Sequence, residues 1–277
     1  VKSIPTEYNL TNDANQQSLR LWLDASEESA VKKESNEVVK WYDWSGFRNH
    51  ALTSSASRPL YGEYTLEDKN VINFRDSNVM KIEDTLNNLK LQKHTIIAVF
   101  THQFGENVIG YNTQSDISKQ SYHISIEDGV VNYAAGSNET EGFKTVGTRT
   151  ISGSRSYVVS SLYNQSIAKL FVNQKLSNSD NNTENTINNP NNAFEFRIGA
   201  ANTNNGIGSQ DEKLWSGEMA EILVFDKELT DSERTTIEDY LITKWGVVLD
   251  SDDDGVPDDK DDHPFDQDKV IDLPDDL

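Results

Sequence analysis

From Asp250 to Asp261 the chain reads Asp250-Ser251-Asp252-Asp253-Asp254-Gly255-Val256-Pro257-Asp258-Asp259-Lys260-Asp261, with carboxylates at loop positions 1, 3, 5, 9 and 12 and glycine at position 6. A hard divalent cation such as calcium wants six to eight oxygens at ~2.3–2.6 Å, and a chain that coils round it presents every second residue inward. Gly255 permits the sharp turn, and the carbonyl of Val256 offers a neutral oxygen at position 7. Asp261 at position 12 can close the site in bidentate fashion. Without an ion, so many carboxylates packed together repel one another, and the ion is what stabilises the compact form. The expected calcium ligands are therefore Asp250, Asp252, Asp254, Val256, Asp258 and Asp261. Asp266 and Asp268 are candidates for a second, truncated site. The plainer alternative is a solvated acidic tail.

Catalytic constellations are harder to find. Glycoside hydrolysis needs two carboxylates flanking one bond, and in hydrolases built on sandwiches they share a strand face as Glu-x-Asp-x-Glu or Glu-x-Asp-x-x-Glu. No such string is present; Glu218 and Glu221 come nearest, and a spacing of three on a strand points them to opposite faces. His50, His94, His102, His123 and His263 are scattered without transition-metal spacing, no Gly-x-Ser-x-Gly elbow exists, and cysteine is absent. The expectation is a chain that is not an enzyme.

Charge separates two regions. Residues 250–277 hold thirteen Asp and two Lys, a net −11, while the first 249 residues carry the other −10 of the formal −21. A polyanion would be repelled by this balance, so no nucleic-acid partner is expected. No run nears the ~18 consecutive apolar residues of a membrane span, so no membrane insertion is expected either. With 35% apolar and 9% aromatic residues, the 277-residue chain can bury a core. Because it begins at Val1, it is expected to be covalently part of a longer chain. The boundaries drawn are a lead-in at 1–17, one domain at 18–249 and a calcium-binding linker at 250–277.

Short alternating or β-branched runs recur between turns: Leu19–Asp24, Val71–Phe74, Thr95–Thr101, Asn107–Tyr111, Tyr122–Glu127, Val130–Ala134, Tyr157–Tyr163, Ile167–Asn173, Phe194–Gly199 and Met219–Phe225. Hairpins are expected at Asp128-Gly129 and at Asn164-Gln165. Many strands without intervening helices indicate an all-β, two-sheet antiparallel sandwich. One helix is expected near the end, opened by a Thr230/Glu233 capping box and laying Ile237, Tyr240, Leu241 and Trp245 against the sandwich. Residues 177–192, half of them Asn, read as a polar loop.

In a meander, alternate loops emerge at the same end. Loops 112–120, 135–150 and 174–193 should share one end, and 102–106 and 200–216 the other. The first group offers Asn112, Asp116, Asn138, Glu139 and Glu141; the second offers Asn202, Asn204, Asn205, Asp211 and Trp215. These are groups suited to sugar hydroxyls or to a further calcium, although an ordinary loop side chain is the plainer reading of each. Trp22, Trp41 and Trp44 read as core rather than as a stacking platform.

The strings Leu21-Trp22-Leu23-Asp24-Ala25, Trp41-Tyr42-Asp43-Trp44-Ser45-Gly46 and Arg58-Pro59, with Phe196-Arg197-Ile198-Gly199, Trp215-Ser216-Gly217-Glu218-Met219-Ala220-Glu221-Ile222 and Tyr240-Leu241-x-x-Lys244-Trp245-Gly246, resemble concanavalin A-like lectin/glucanase domains of the laminin G type 3 class. The resemblance spans roughly residues 18 to 248 and implies a jelly-roll sandwich, with Glu221 structural. Asp250-x-Asp252-x-Asp254-Gly255-Val256-Pro257-Asp258 followed by Asp262-His263-Pro264-Phe265-Asp266 resembles a thrombospondin type 3 repeat. Together these imply a carbohydrate-binding lectin module of a bacterial cell-surface or secreted adhesin. It would be extracellular, act on cell-surface glycans or polysaccharides, and use calcium to stiffen its linker. The alternatives are an accessory domain of a secreted polysaccharide-degrading enzyme, or a protein-binding or structural spacer, because the fold alone does not decide function.

Overall fold

A computed structural model of the chain describes residues 18–111 except 76 and 85, 122–135, 144–180 except 148, 152 and 154, 195–201, and 214–269 except 253. Its longest strand, Trp215–Phe225, is buried along its whole length. The strand is antiparallel to Leu19–Asp24 on one side and to His94–Thr101 on the other. Ser156–Tyr163, Ala168–Val172 and Lys175–Asp180 then extend this layer outward in turn. Strands covered on both faces have no solvated side to keep polar, so Ile96-Ile97-Ala98-Val99-Phe100 and Ile222-Leu223-Val224-Phe225 read as unbroken apolar runs.

The second ladder runs from Lys144–Val146 through Val130–Ala135, Tyr122–Glu127, Asn107–Gly110, Arg197–Ile198, Met80–Ile82, Ala51–Leu52 and Glu37–Trp41 to Val31–Glu34. Leu60–Leu66 and Lys69–Phe74 link the two ladders along one side. Aromatic rings fill the space between the layers. His94 of the first stacks on Tyr122 of the second with centroids 4.0 Å apart, and its Nε2 lies 2.5 Å from the hydroxyl of Tyr133. The molecule is an antiparallel β-sandwich with one C-terminal helix.

The tryptophan-rich opening has a local cause. The carboxylate of Asp43 accepts from the backbone N–H of Trp22, Ser45 and Asn49 and from the Ser45 hydroxyl, at 2.7–2.9 Å. That hub folds the segment onto the first strand and buries Trp22 and Trp41, with Trp44 packed half-buried beside them. The Asp128-Gly129 turn has φ values of 52° and 79°, as a tight hairpin of type I′ requires. Two further turns of the same kind, Glu67-Asp68 and Asn173-Gln174, carry no glycine and escaped the sequence reading.

Helix Asp231–Trp245 closes the outer face of the first layer. Its Thr230/Glu233 box is formed on both sides, and Ile237, Tyr240, Leu241 and Trp245 are buried as the periodicity predicts. Glu233 is held down to about 2: burial raises its pKa, but bonds from Lys227 and from the Thr230 backbone and hydroxyl outweigh that cost. Gly246 ends the helix in the left-handed region, at φ 58°.

Two expectations need correction. The segment expected as a loop at 174–193 begins with the strand Lys175–Asp180, and the short strands Val31–Glu34, Glu37–Trp41, Ala51–Leu52, Leu60–Leu66, Met80–Ile82 and Lys144–Val146 went unpredicted. Many are edge or linking strands with little apolar alternation, held by backbone pairing that leaves a weak trace in side-chain type. The register otherwise agrees with the expected loop grouping. Tyr111 and Tyr122, Ala135 and Lys144, and Asp180 all lie at the His94 end of the sandwich.

Candidate functional site

After the helix the chain turns through the acidic segment. One carboxylate oxygen each from Asp250, Asp252 and Asp254 lies within 4.8 Å of the others. Gly255, at φ 98° with open space around it, makes the turn that allows this. Backbone N–H groups occupy one side of the carboxylates: Gly255 donates to Asp250 Oδ2 at 3.2 Å, Asp254 to Asp252 Oδ1 at 3.3 Å, Val256 to Asp254 Oδ1 at 2.7 Å and His263 to Asp261 Oδ1 at 2.8 Å. The opposite oxygens, Oδ1 of Asp250 and Oδ2 of Asp252, Asp254 and Asp261, are buried and have no hydrogen-bond partner. A buried carboxylate oxygen without a donor is costly, and these four are the oxygens that could hold a cation. An all-oxygen carboxylate set suits calcium or another hard ion rather than a soft one.

The predicted ligands are not all placed alike. Asp250, Asp252 and Asp254 are brought together, while Asp261 stands outside that 4.8 Å group but shares its unpartnered oxygen. Asp258 is placed differently from expectation: both its oxygens accept from Ser251, at 2.6 Å from the N–H and 2.7 Å from the hydroxyl. With Asp258 N–H donating to the Leu249 carbonyl at 3.0 Å, it ties the loop shut. Val256 supplies the turn after Gly255. Asp266 pairs with Lys269 at 3.1 Å, and among the described residues neither it nor Asp268 joins a cluster of three acids.

Of the residues singled out for sugar, Asn112, Asp116, Asn138, Glu141, Asn202, Asn204 and Asp211 lie outside the described residues, as do Glu139 and Asn205. Trp215 is a correction. It is fully buried against Phe74 and Phe100, with ring centroids 5.6 and 5.9 Å away, so neither ring face is open to a sugar. Its strand begins two residues before Gly217, whose missing side chain lets the indole and the Thr101 backbone close in.

A polar cleft that the sequence did not reveal opens at the His94 end. It encloses about 190 Å³ between Ile82, Asp84, Asn87, Lys90, Tyr111 and Glu195. Asp84 Oδ1 accepts from the N–H of Asn88 at 2.7 Å, and its Oδ2 from the Tyr111 hydroxyl at 2.9 Å. Burial, then the neighbouring Tyr122 and Asp84, push the Tyr111 phenol far above its ordinary range, so it stays a donor. Glu195 is held by Lys81 at 2.8 Å and by Arg197 at 3.3 Å. Fixed acceptors, an amide and an ammonium beside an aromatic wall can orient a polyhydroxylated ligand. Tyr111 and Glu195 come together only in the fold, which is why no motif announces them.

Glu218 and Glu221 belong to separate networks. Glu218 accepts from Asn73 Nδ2 and Gln103 Nε2, each at 2.9 Å, and from the Thr101 hydroxyl. Glu221 is fully buried and accepts from Trp22 Nε1 at 2.7 Å, Trp245 Nε1 at 2.8 Å and Lys244 at 2.6 Å. Lys244 also reaches Asp24 at 2.8 Å, pinning the helix to the sheet.

No family model matches the chain, and no curated protein is significantly similar to it. Solved structures do resemble it. The binding domain of Paraclostridial Mosquitocidal Protein 1 superposes with a TM-score of 0.58 at 13% identity, over 85% of this chain and 56% of that one. Trypanosoma rangeli sialidase gives 0.54 at 13% identity, over 82% of this chain and 33% of the enzyme. Botulinum neurotoxin type C, described as entering cells through interaction with two ganglioside molecules, gives 0.53 at 16% identity over 86% and 56%. The chain thus spans a third to just over half the length of these proteins, and at such identities the likeness establishes a shared sandwich fold.

Proposed function

We propose that this chain is a non-catalytic carbohydrate-binding domain of an extracellular, bacterial surface or secreted adhesin, continued by a calcium-stiffened linker. The observation that carries the reading is the cleft at the loop-bearing end, whose Asp84, Asn87, Lys90, Tyr111 and Glu195 present donors and acceptors to hydroxyl groups. A toxin of the same fold is described as interacting with gangliosides, which supports the reading by analogy of architecture. The local motifs support a laminin G type 3-like sandwich followed by a thrombospondin type 3-like loop, and the unpartnered oxygens of Asp250, Asp252, Asp254 and Asp261 support calcium as the ion. In the cleft Asp84 accepts from the Tyr111 hydroxyl and Glu195 pairs with Lys81, which fixes both as acceptors for a ligand.

A second reading, an accessory domain of a polysaccharide-degrading enzyme, draws on the sialidase, of which this fold makes up only a third. One experiment addresses both. On a broad glycan array with calcium present, the chain should bind defined glycans, and Glu195→Gln should weaken that binding at least tenfold while leaving the urea midpoint in place. A blank array overturns the lectin assignment. New reducing ends on incubation with bound oligosaccharides overturn the non-catalytic one.

A further inference from the structure

A second cleft lies at the opposite end of the sandwich, where Ser156 faces Thr101. It encloses about 290 Å³, and its walls include Arg149, Ile151, Arg155, Tyr157, Asn173 and Asp250. Two guanidinium groups converge on it in a protein with 46 acidic residues against 25 basic ones. The chain leaving the helix forms one wall and is fastened there: Asn173 Nδ2 donates to the Val248 carbonyl at 3.4 Å, and Arg149 Nη2 to the Asp250 carbonyl at 3.3 Å. Arg155 Nη1 stands 3.6 Å from Asp250 Oδ2, close enough for an ion pair but beyond hydrogen-bond distance, and its side chain is 46% exposed. Asp250 therefore serves two sites. One oxygen faces the arginine cleft, and the other is a buried, partnerless member of the acidic loop.

We infer that this cleft binds the carboxylate of an acidic sugar, and that cation occupancy of the acidic loop strengthens the binding. A guanidinium fork matches a carboxylate in geometry and charge, and two of them around a half-apolar floor of Ile151 and Tyr157 fit a ring that carries one. With the loop empty, the charge of Asp250 neutralises Arg155 and repels an incoming anion. A divalent cation held by Asp250, Asp252 and Asp254 cancels that charge at its source, and Arg155 then offers its charge to the cleft. The coupling is reciprocal, so the anion must tighten the cation by the same factor, about tenfold within the usual range. This assignment rests on the saccharide-binding reading but names a different site and a different chemical class.

Isothermal titration with glucuronate as the probe, glucose as the uncharged control and acetate as competitor tests it. Glucuronate should bind in calcium and about tenfold more weakly in chelator, glucose should not bind this cleft, and acetate should compete. Arg155→Met should abolish the glucuronate signal. Asp250→Asn should raise glucuronate affinity in chelator, mimicking the cation without needing one, so the arginine cleft remains testable even if the loop takes no calcium. Absence of glucuronate binding in both the parent protein and Asp250→Asn overturns the assignment. Glucose binding as strong as glucuronate, or failure of acetate to compete, overturns the carboxylate anchor; indifference to both calcium and Asp250→Asn overturns the coupling. Glucuronate binding would survive a neutral-glycan array that came back blank, and its loss would leave the Asp84 cleft untouched, so the two readings fail separately.

Discussion

Two groups of aspartate and glutamate, one under the helix and one just after it, solve the problem of buried negative charge in opposite ways. Asp24 and Glu221 are fully buried, yet their oxygens are met by the Lys244 ammonium, two indole N–H groups and the Ser26 N–H and hydroxyl. Burial, and after it the charge of Asp24, raise the Glu221 pKa, with Lys244 opposing both; burial pulls Lys244 down, but the two carboxylates outweigh it and leave its pKa raised. The acidic loop gathers Asp250, Asp252 and Asp254, and Arg155 stands 3.6 Å from the outer oxygen of the first. One cluster brings its counter-charge in the chain; under the proposed calcium reading the other would take it from solution. His94 avoids buried charge altogether. Fully buried, it is pushed down to about 3 by burial and stays neutral against Tyr122 and Tyr133.

The comparison can be broken most directly at Lys244. Lys244→Met leaves two buried carboxylates without their cation and should cost about 3–5 kcal/mol in urea unfolding. A loss below about 1 kcal/mol would mean that the indoles alone suffice. His94 should show its effect through pH. Its folded pKa lies below the unfolded value, so the unfolded chain takes up the proton first and stability is lost as pH falls from about 6.5 towards 3. Between pH 6.5 and 4.5 that amounts to ~2–3 kcal/mol, and the unfolding free energy of His94→Gln, which cannot titrate there, should fall correspondingly less. The smallest effect on the fold belongs to the acidic loop. Asp252→Ala or Asp254→Ala should weaken calcium binding at least tenfold, about 1.4 kcal/mol, while the urea midpoint of the sandwich stays put. Calcium should also protect residues 250–268 from proteolysis; equal cleavage in chelator would remove the loop from the comparison altogether.

Legibility in the sequence followed the range of the interactions. The Asp128-Gly129 turn and the helix cap at Thr230 each depend on residues a few positions apart, and both formed as read; the acidic coil around Gly255 brings Asp250, Asp252 and Asp254 together without gathering the whole expected set. The runs Thr95–Thr101 and Met219–Phe225 were legible as strands because positions covered on both faces are mostly apolar, Glu221 being an exception that finds its partners only in the fold. Edge and linking strands such as Lys175–Asp180 were missed because backbone pairing sustains them, and the backbone is the same for every residue. Trp215 was misjudged for a related reason: an indole suits a sugar platform and a core equally well until Phe74 and Phe100 are seen to enclose it. Asp258 shared the spacing of a ligand, yet Ser251, seven residues earlier, engaged both its oxygens.

Alone, the amino-acid sequence determined an acidic coil with the spacing of a cation site, a capped helix and an all-β body. These are set by periodicity and by contacts within one or two turns of chain. Only the tertiary structure decided that Lys244 would neutralise a glutamate 23 residues away and that Trp22 would reach the same glutamate across 199. It likewise decided that Tyr111 would meet Glu195 in one cleft, and that Asp250 would border both an arginine pair and the acidic loop. Such pairings carry no local signal, because they exist only once two sheets have closed over a common core and brought distant residues within a few ångströms.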